Sequence, residues 1–205
     1  MSKKPTSRTA YGVKLLLSSH KDIRRVKKEA DEPSIHGHKF WGSSYLIMDY
    51  LKKNPIPEGS RVLELGCGWG LAGIYCAKKF NAKVVGVDAD DAVFPFLDIH
   101  AKHNGVKIKT KQSYFEKLSK KDLAKFDVII GADICFWDEL ADKVHKVIKR
   151  GLNAGVQKVI IADPERDPFF ELSNKCIKKY HAELESWKVK KPRKASGSLL
   201  IIENA

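Results

Sequence analysis

Between Arg61 and Asp88 the chain writes a strand, a glycine turn, a helix and a second strand closed by an acid, and few folds accommodate that order. Val62, Leu63 and Leu65 predict a buried strand. Gly66, Gly68 and Gly70 crowd the turn that follows, where backbone without a Cβ can approach a ligand closely. Leu71 to Phe80 predicts a helix whose first N–H groups face into the same turn. Lys83 to Val87 predicts the second strand, and it ends in Asp88, 22 residues past Gly66. At that spacing a carboxylate can take both ribose hydroxyls of a bound nucleoside.

The register narrows the nucleoside. Gly68-Trp-Gly70-Leu-Ala-Gly73 formally fits the G-x-G-x-x-G of NAD-binding folds, whose first glycine directly follows the strand. Here Gly66 holds that place. An acid inside the end of the strand, Glu64, followed by Gly-x-Gly-x-Gly, resembles motif I of class I S-adenosylmethionine (SAM) methyltransferases. The resemblance implies SAM as cofactor and S-adenosylhomocysteine as product. It assigns Glu64, Gly66, Cys67, Gly68, Gly70, Asp88 and Ala89 to cofactor binding.

The rest of the chain keeps the same rhythm. Strands are predicted near 61–65, 83–88, 106–111, 126–132 and 156–162, and helices near 70–80, 91–103, 138–150 and 168–179. Short apolar strands alternating with amphipathic helices mean a parallel sheet with right-handed crossovers. Ala182 to Val189 and Gly197 to Ile202 read as two strands with no helix between them, hence antiparallel. The expected fold is α/β: a doubly wound, seven-stranded, mostly parallel sheet, Rossmann-like, with an antiparallel last strand and an N-terminal helical extension. Residues 1–40 read as a basic, partly flexible extension and residues 41–205 as the domain. Residues 1–10 read as disordered, Val13 to Leu17 as a short strand or turn, and a basic helix starts near Lys21. Pro33 to His38 reads as a break, and Ser43 and Ser44 as caps of a helix ending before Asn54-Pro55.

No apolar run approaches the roughly 20 residues of a membrane span, and no signal peptide is seen. The four cysteines (67, 76, 135, 176) form no Cys-x-x-Cys pair, so a reduced, cytoplasmic monomer without a zinc site is expected. His100 and His103 can share a helix face as metal ligands, but such pairs are far more often structural, and no metal is assigned. The net charge of +13 is unevenly placed. Residues 1–30 hold nine Lys/Arg against two Asp/Glu, and residues 175–194 eight against two, so the other 155 residues are neutral overall. Two such patches attract acidic protein surfaces or nucleic acid, or merely solubilise the surface.

Phe126 to Asp133 reads as a strand ending in an acid at the carboxyl edge, where open α/β sheets hold ligands. Ile134-Cys-Phe-Trp137 follows. Asp133, Phe136 and Trp137 are therefore the candidate catalytic residues, with Cys135 as pocket lining. The other reading of Asp133 is a cap on the helix from Asp138. Trp41, in His36-Gly-His-Lys-Phe-Trp41, is placed to cover the cofactor.

Trp41, the helix Tyr45–Leu51, Leu63-Glu-Leu-Gly-Cys-Gly-Trp-Gly-Leu and Gly131-Ala-Asp133 together resemble the family 16 methyltransferases. These include protein lysine methyltransferases and bacterial nicotinamide N-methyltransferase-like members. Ile161-Ala-Asp-Pro-Glu-Arg166 also resembles a segment of the bacterial members, and the resemblance covers roughly residues 40–170. It implies that Trp41, Ala132 and residues near Ser113 join the glycine turn and Asp88 around SAM. It also implies that Asp133 opens an Asp-x-x-Tyr motif beside the acceptor; Phe136 stands in the tyrosine's place. The Asn/Asp-Pro-Pro-Tyr signature of enzymes that methylate amino groups of nucleic acids is absent after the fourth strand. The reading is a SAM-dependent methyltransferase acting on a protein side chain, lysine favoured, with an acidic partner surface. An RNA methyltransferase or RNA-bound factor, and a non-catalytic SAM-binding scaffold, are the alternatives.

Overall fold

The computed structural model describes residues 5–31, 33, 37 and 39–204 of the 205. His36 and His38 lie outside the described residues, as does part of the break expected at Pro33 to His38. Seven strands form one sheet: β3 (Arg61–Leu65), β4 (Lys83–Asp88), β5 (Lys109–Gln112), β6 (Val128–Ala132), β7 (Lys158–Asp163), β8 (Glu183–Val189) and β9 (Ala195–Glu203). Their spatial order is β5-β4-β3-β6-β7-β9-β8. Every pairing is parallel except the two made by β9, which runs antiparallel between β7 and β8.

Alternation along the strands builds two cores. Val62, Ile130, Ile160 and Ile201 face a layer containing α2 (Ser43–Lys53) and α3 (Leu71–Phe80). Their neighbours Leu63, Ile129, Ile161 and Ile202 face α6 (Asp138–Leu152) and α7 (Asp167–Tyr180). Both faces of the central strands are covered, as a parallel sheet requires. α4 (Phe94–Asn104) joins the first layer, and the short α5 (Lys120–Leu123), absent from the sequence reading, joins the second.

β5 begins later than the predicted 106. Gly105 ends α4 in the left-handed region (φ 69°) and the Val106 N–H returns to the Ala101 carbonyl, so these residues complete the helix cap. All four β5 residues are exposed, as suits an edge strand rich in lysine and glutamine.

The N-terminal segment is built onto the body. Ser7–Ala10, read as disordered, is strand β1, paired antiparallel with β2 (Val13–Leu16). The Asn104 side chain accepts from the Lys14 N–H (2.7 Å) and donates to the Lys14 carbonyl (2.9 Å), so α4 serves as a partner for β2. His100 is fully buried. Its Nε2 accepts from the Leu16 N–H (3.1 Å), which fixes the tautomer in which Nδ1 donates to the Phe96 carbonyl (2.7 Å). Both ring nitrogens are thereby committed, which removes His100 from the metal-ligand pair considered above. α1 (Lys21–Glu29) buries Ile23 and Val26 with Leu16, Trp69 and Phe96. No helix among the described residues is long and apolar enough to cross a membrane.

Candidate active site

The sheet order reverses at β3: β4 and β5 lie to one side, β6 and β7 to the other. Beyond the carboxyl ends of β3 and β6 opens a cleft of about 310 Å³. Its walls come from the turn after β3, the ends of β4 and β6, the segment after β5 and the segment before α2.

The glycine turn has the geometry its sequence predicts. Gly66 (φ 59°) has a conformation that L side chains resist, and a Cβ there would meet Ile134 at 2.6 Å. Gly68 (φ 49°) differs. A Cβ there would meet nothing within 4 Å, so the space before it belongs to the cleft. The Gly68 N–H donates to Asp88 Oδ2 (2.9 Å), and Asp88 Oδ1 accepts from the Asp90 N–H (3.1 Å). Asp88 is thus aimed by the backbone, and each oxygen keeps a lone pair for a further donor. Its burial raises the carboxyl above the ordinary aspartate value.

Glu64 lies beneath the turn, 4% exposed. Burial pushes its carboxyl up to about 8, against the pull of the Gly73 and Ala72 N–H groups. Its Oε2 makes no hydrogen bond within the described residues although Glu64 lines the cleft. A buried acceptor at the cleft wall, an aimed carboxylate and open space at Gly68 fit a nucleoside bearing an ammonium group, as SAM does.

The other end of the cleft is aromatic. Trp41 packs edge-on against Phe136 with ring centroids 5.4 Å apart, and Trp137 tilts beside Phe136 at 5.9 Å, half exposed. The Lys39 ammonium lies 4.6 Å over Trp41, and the Arg166 guanidinium 4.4 Å over Phe136. Asp133 lines the wall but does not cap α6. Its Oδ2 accepts from the Ser43 N–H (2.9 Å), so it caps α2, and Oδ1 accepts from Arg166 (3.1 Å). Ser43 and Ser44 therefore sit inside α2 rather than capping it; Gly42 holds the cap position without a side chain to offer. Arg166 also donates to Asp163 Oδ2 (2.7 Å), which is fully buried and pushed up to about 6 by that burial.

Trp41, Glu64, Gly66, Cys67, Gly68, Gly70, Asp88, Ala89, Ala132, Asp133, Phe136 and Trp137 all line one cleft. Two residues depart from the sequence reading. Ser113 is outside the wall. β5 runs one residue further than predicted, so Tyr114, Phe115 and Glu116 reach the cleft and Ser113 bonds back to β4 through the Asp88 carbonyl. Cys135 is fully buried in the core beneath the sheet, among Phe169 and Cys176, and does not line the pocket. Arg166 entered the sequence reading only within a resembling segment. An arginine three residues past an acid at a strand's carboxyl end was the available signal.

This sheet order, with a cleft at the carboxyl edge where it reverses, is the Rossmann-like fold found in class I methyltransferases. Residues 62–155 match the family model described as a methyltransferase domain. The chain is similar to the electron transfer flavoprotein beta subunit lysine methyltransferase of Xenopus laevis, 29% identical over 131 residues, which cover 63% of this chain and 52% of that one. It is also similar to the ubiquinone biosynthesis O-methyltransferase of Hahella chejuensis, 27% identical over 118 residues, 53% of this chain and 48% of that one. The chain spans about half the length of these curated relatives. Among solved structures it resembles the Pyrococcus abyssi tRNA (uracil-54, C5)-methyltransferase in complex with S-adenosyl-L-homocysteine. The TM-score is 0.59 at 18% identity, over 95% of this chain and 42% of that one.

Proposed function

We propose that this protein is a SAM-dependent methyltransferase whose acceptor is a protein side-chain amine, lysine favoured. One observation carries the acceptor. The aromatic faces at the far end of the cleft already hold two cations, Lys39 on Trp41 and Arg166 on Phe136. Such faces attract ammonium groups and leave room for their alkyl stems. The likeness to a lysine methyltransferase points the same way.

SAM, held by the glycine turn, Glu64 and Asp88, would supply a methyl group on an activated sulfonium. What remains for the protein is alignment and exclusion of water, which together can supply several kcal/mol. A lysine must first lose a proton. Asp133 is already engaged by Ser43 and Arg166, so it orients rather than abstracts, and the positive charges of Lys39 and Arg166 over the Trp41 and Phe136 rings favour the neutral amine.

Labelled methyl transfer to a lysate, with and without RNase, followed by mass spectrometry, tests the reading. Label on lysine supports it. RNase-sensitive label, or label on a small molecule, overturns the acceptor. Tight S-adenosylhomocysteine binding with no transfer makes the protein a scaffold. Asp88→Ala is expected to weaken S-adenosylhomocysteine binding by about 1–3 kcal/mol in calorimetry, the cost of a charged hydrogen-bonding partner. NADH binding tighter than S-adenosylhomocysteine would refute the cofactor.

The partner follows from charge. β8 runs parallel to the main strands, and Lys190-Lys-Pro-Arg-Lys194 follows it. These residues do not line the cleft. Tyr11, in the turn between β1 and β2, donates to Asp49 (2.9 Å) and brings its hydroxyl within 3.3 Å of the Lys191 carbonyl, so the two basic segments of the sequence meet. That joined surface is suited to dock an acidic protein. Replacing Lys190, Lys191, Arg193 and Lys194 by Ser should raise the acceptor KM at low salt and flatten its salt dependence, with SAM binding unchanged. An unchanged KM would reduce the loop to a solubilising surface.

A further inference from the structure

Away from the cleft, α1 and α4 bring three donors of metal-binding type together. His20 stands at the N-terminal cap of α1, Asp22 in its first turn, and His103 in the last turn of α4. His103 Nε2 lies 2.7 Å from Asp22 Oδ2, and His20 Nδ1 lies 3.8 Å from the same oxygen. The two imidazole rings meet edge to face, 5.2 Å between centroids. One ligand atom from each residue falls within 4.8 Å of the others. We propose that His20, Asp22 and His103 bind one divalent transition cation of the zinc class, which ties the N-terminal segment to the body of the domain.

The geometry is close to what such an ion asks. Tetrahedral zinc with bonds of 2.0–2.1 Å separates its ligand atoms by about 3.3 Å. The 2.7 and 3.8 Å separations from Asp22 Oδ2 bracket that value, and side-chain rotations that bring the two imidazole nitrogens to the same spacing complete the set. Nδ1 of His20 now accepts a long 3.2 Å bond from the Asp22 N–H, a modest bond to exchange for a metal. The three side chains are partly exposed, leaving the fourth position to water. Two imidazoles and one carboxylate select zinc, cobalt, nickel or copper, whereas magnesium and calcium require six or more oxygens. Lys14, Lys21 and Arg25 nearby oppose a cation and moderate the affinity. The sequence paired His103 with His100. The fold commits His100 to Leu16 and Phe96 and supplies His20 and Asp22 instead.

Calorimetric titration of the full chain, dialysed against EDTA and then transferred to chelator-free buffer, with zinc chloride and separately with magnesium chloride, tests the site. One zinc per chain with a raised Tm, and no magnesium heat, is the expected result. His103→Asn and Asp22→Asn should each weaken zinc binding at least tenfold, the size of effect that losing a ligand or its support produces. If His103→Asn fails to fold by circular dichroism, Asp22→Asn, which preserves shape, decides alone. Zinc uptake equal in wild type and the folded variants would place the metal elsewhere. No uptake by wild type at 100-fold excess would refute the site outright.

Discussion

Replacing Arg166 by alanine is expected to cost about 3–5 kcal/mol of stability at pH 7.5, because it strands two buried carboxylates at once. Asp163 is fully buried and Asp133 5% exposed, and Arg166 is the cation that both contact. Burial already holds Asp163 at about 6, and the arginine opposes that rise. Without it the carboxyl rises further, so the folded state binds more protons than the unfolded state across a wider range. The sign follows: the variant's stability falls as pH rises, and part of the loss is recovered on acidification towards pH 5. Urea denaturation at the two pH values measures both. A loss under 1 kcal/mol, or one independent of pH, would mean that water replaces the guanidinium and the pair is not sealed.

Glu64→Gln should act in the opposite direction. The buried carboxyl stands near 8 instead of its ordinary 4.5, so the folded protein prefers it protonated. Wild-type stability should therefore decline as pH rises from about 5 to about 8. At 1.36 kcal/mol per pKa unit the ceiling is about 5 kcal/mol, and relaxation of the site reduces it to a few. The glutamine variant removes that decline and is more stable than wild type at pH 8. His100 bounds the other side. Burial holds it down to about 4, so in both proteins its contribution is lost as pH falls below about 6.5, and in wild type this opposes the Glu64 contribution. Parallel pH–stability curves for the two proteins would show that Glu64 is stabilised as a carboxylate in the fold.

Much of this site was readable because its parts are local. The acid, the three glycines and Asp88 belong to one βαβ unit, whose spacing fixes their relation. Asp133, Phe136 and Trp137 lie at a strand end, and strand ends are marked by where the apolar run stops. The partners of Asp133 were not readable. Ser43 is 90 residues before it and Arg166 is 33 after, and only the packing of α2 over β6 and β7 joins them. The same holds for the N-terminal segment. Its lysines advertise solvent, but two apolar residues of α1, Ile23 and Val26, and the Lys14 N–H and carbonyl paired with Asn104 decide where it goes. β5 was misplaced for a local reason: the sequence shows a helix stop at Gly105 but not the number of residues the cap consumes.

Trp69 sits inside the glycine turn, yet its ring stacks on Phe96 and meets Phe40, and its Nε1 donates to the Gly37 carbonyl (2.7 Å). The turn that would cradle the cofactor and the segment that carries Trp41 over it thus share one side chain. Neither can rearrange alone. Loosening the segment depopulates the binding-competent turn, and apparent affinity falls in proportion to the competent fraction. Shortening the chain from its N-terminus therefore registers first as a weaker cofactor complex, with the intrinsic chemistry of the formed site intact.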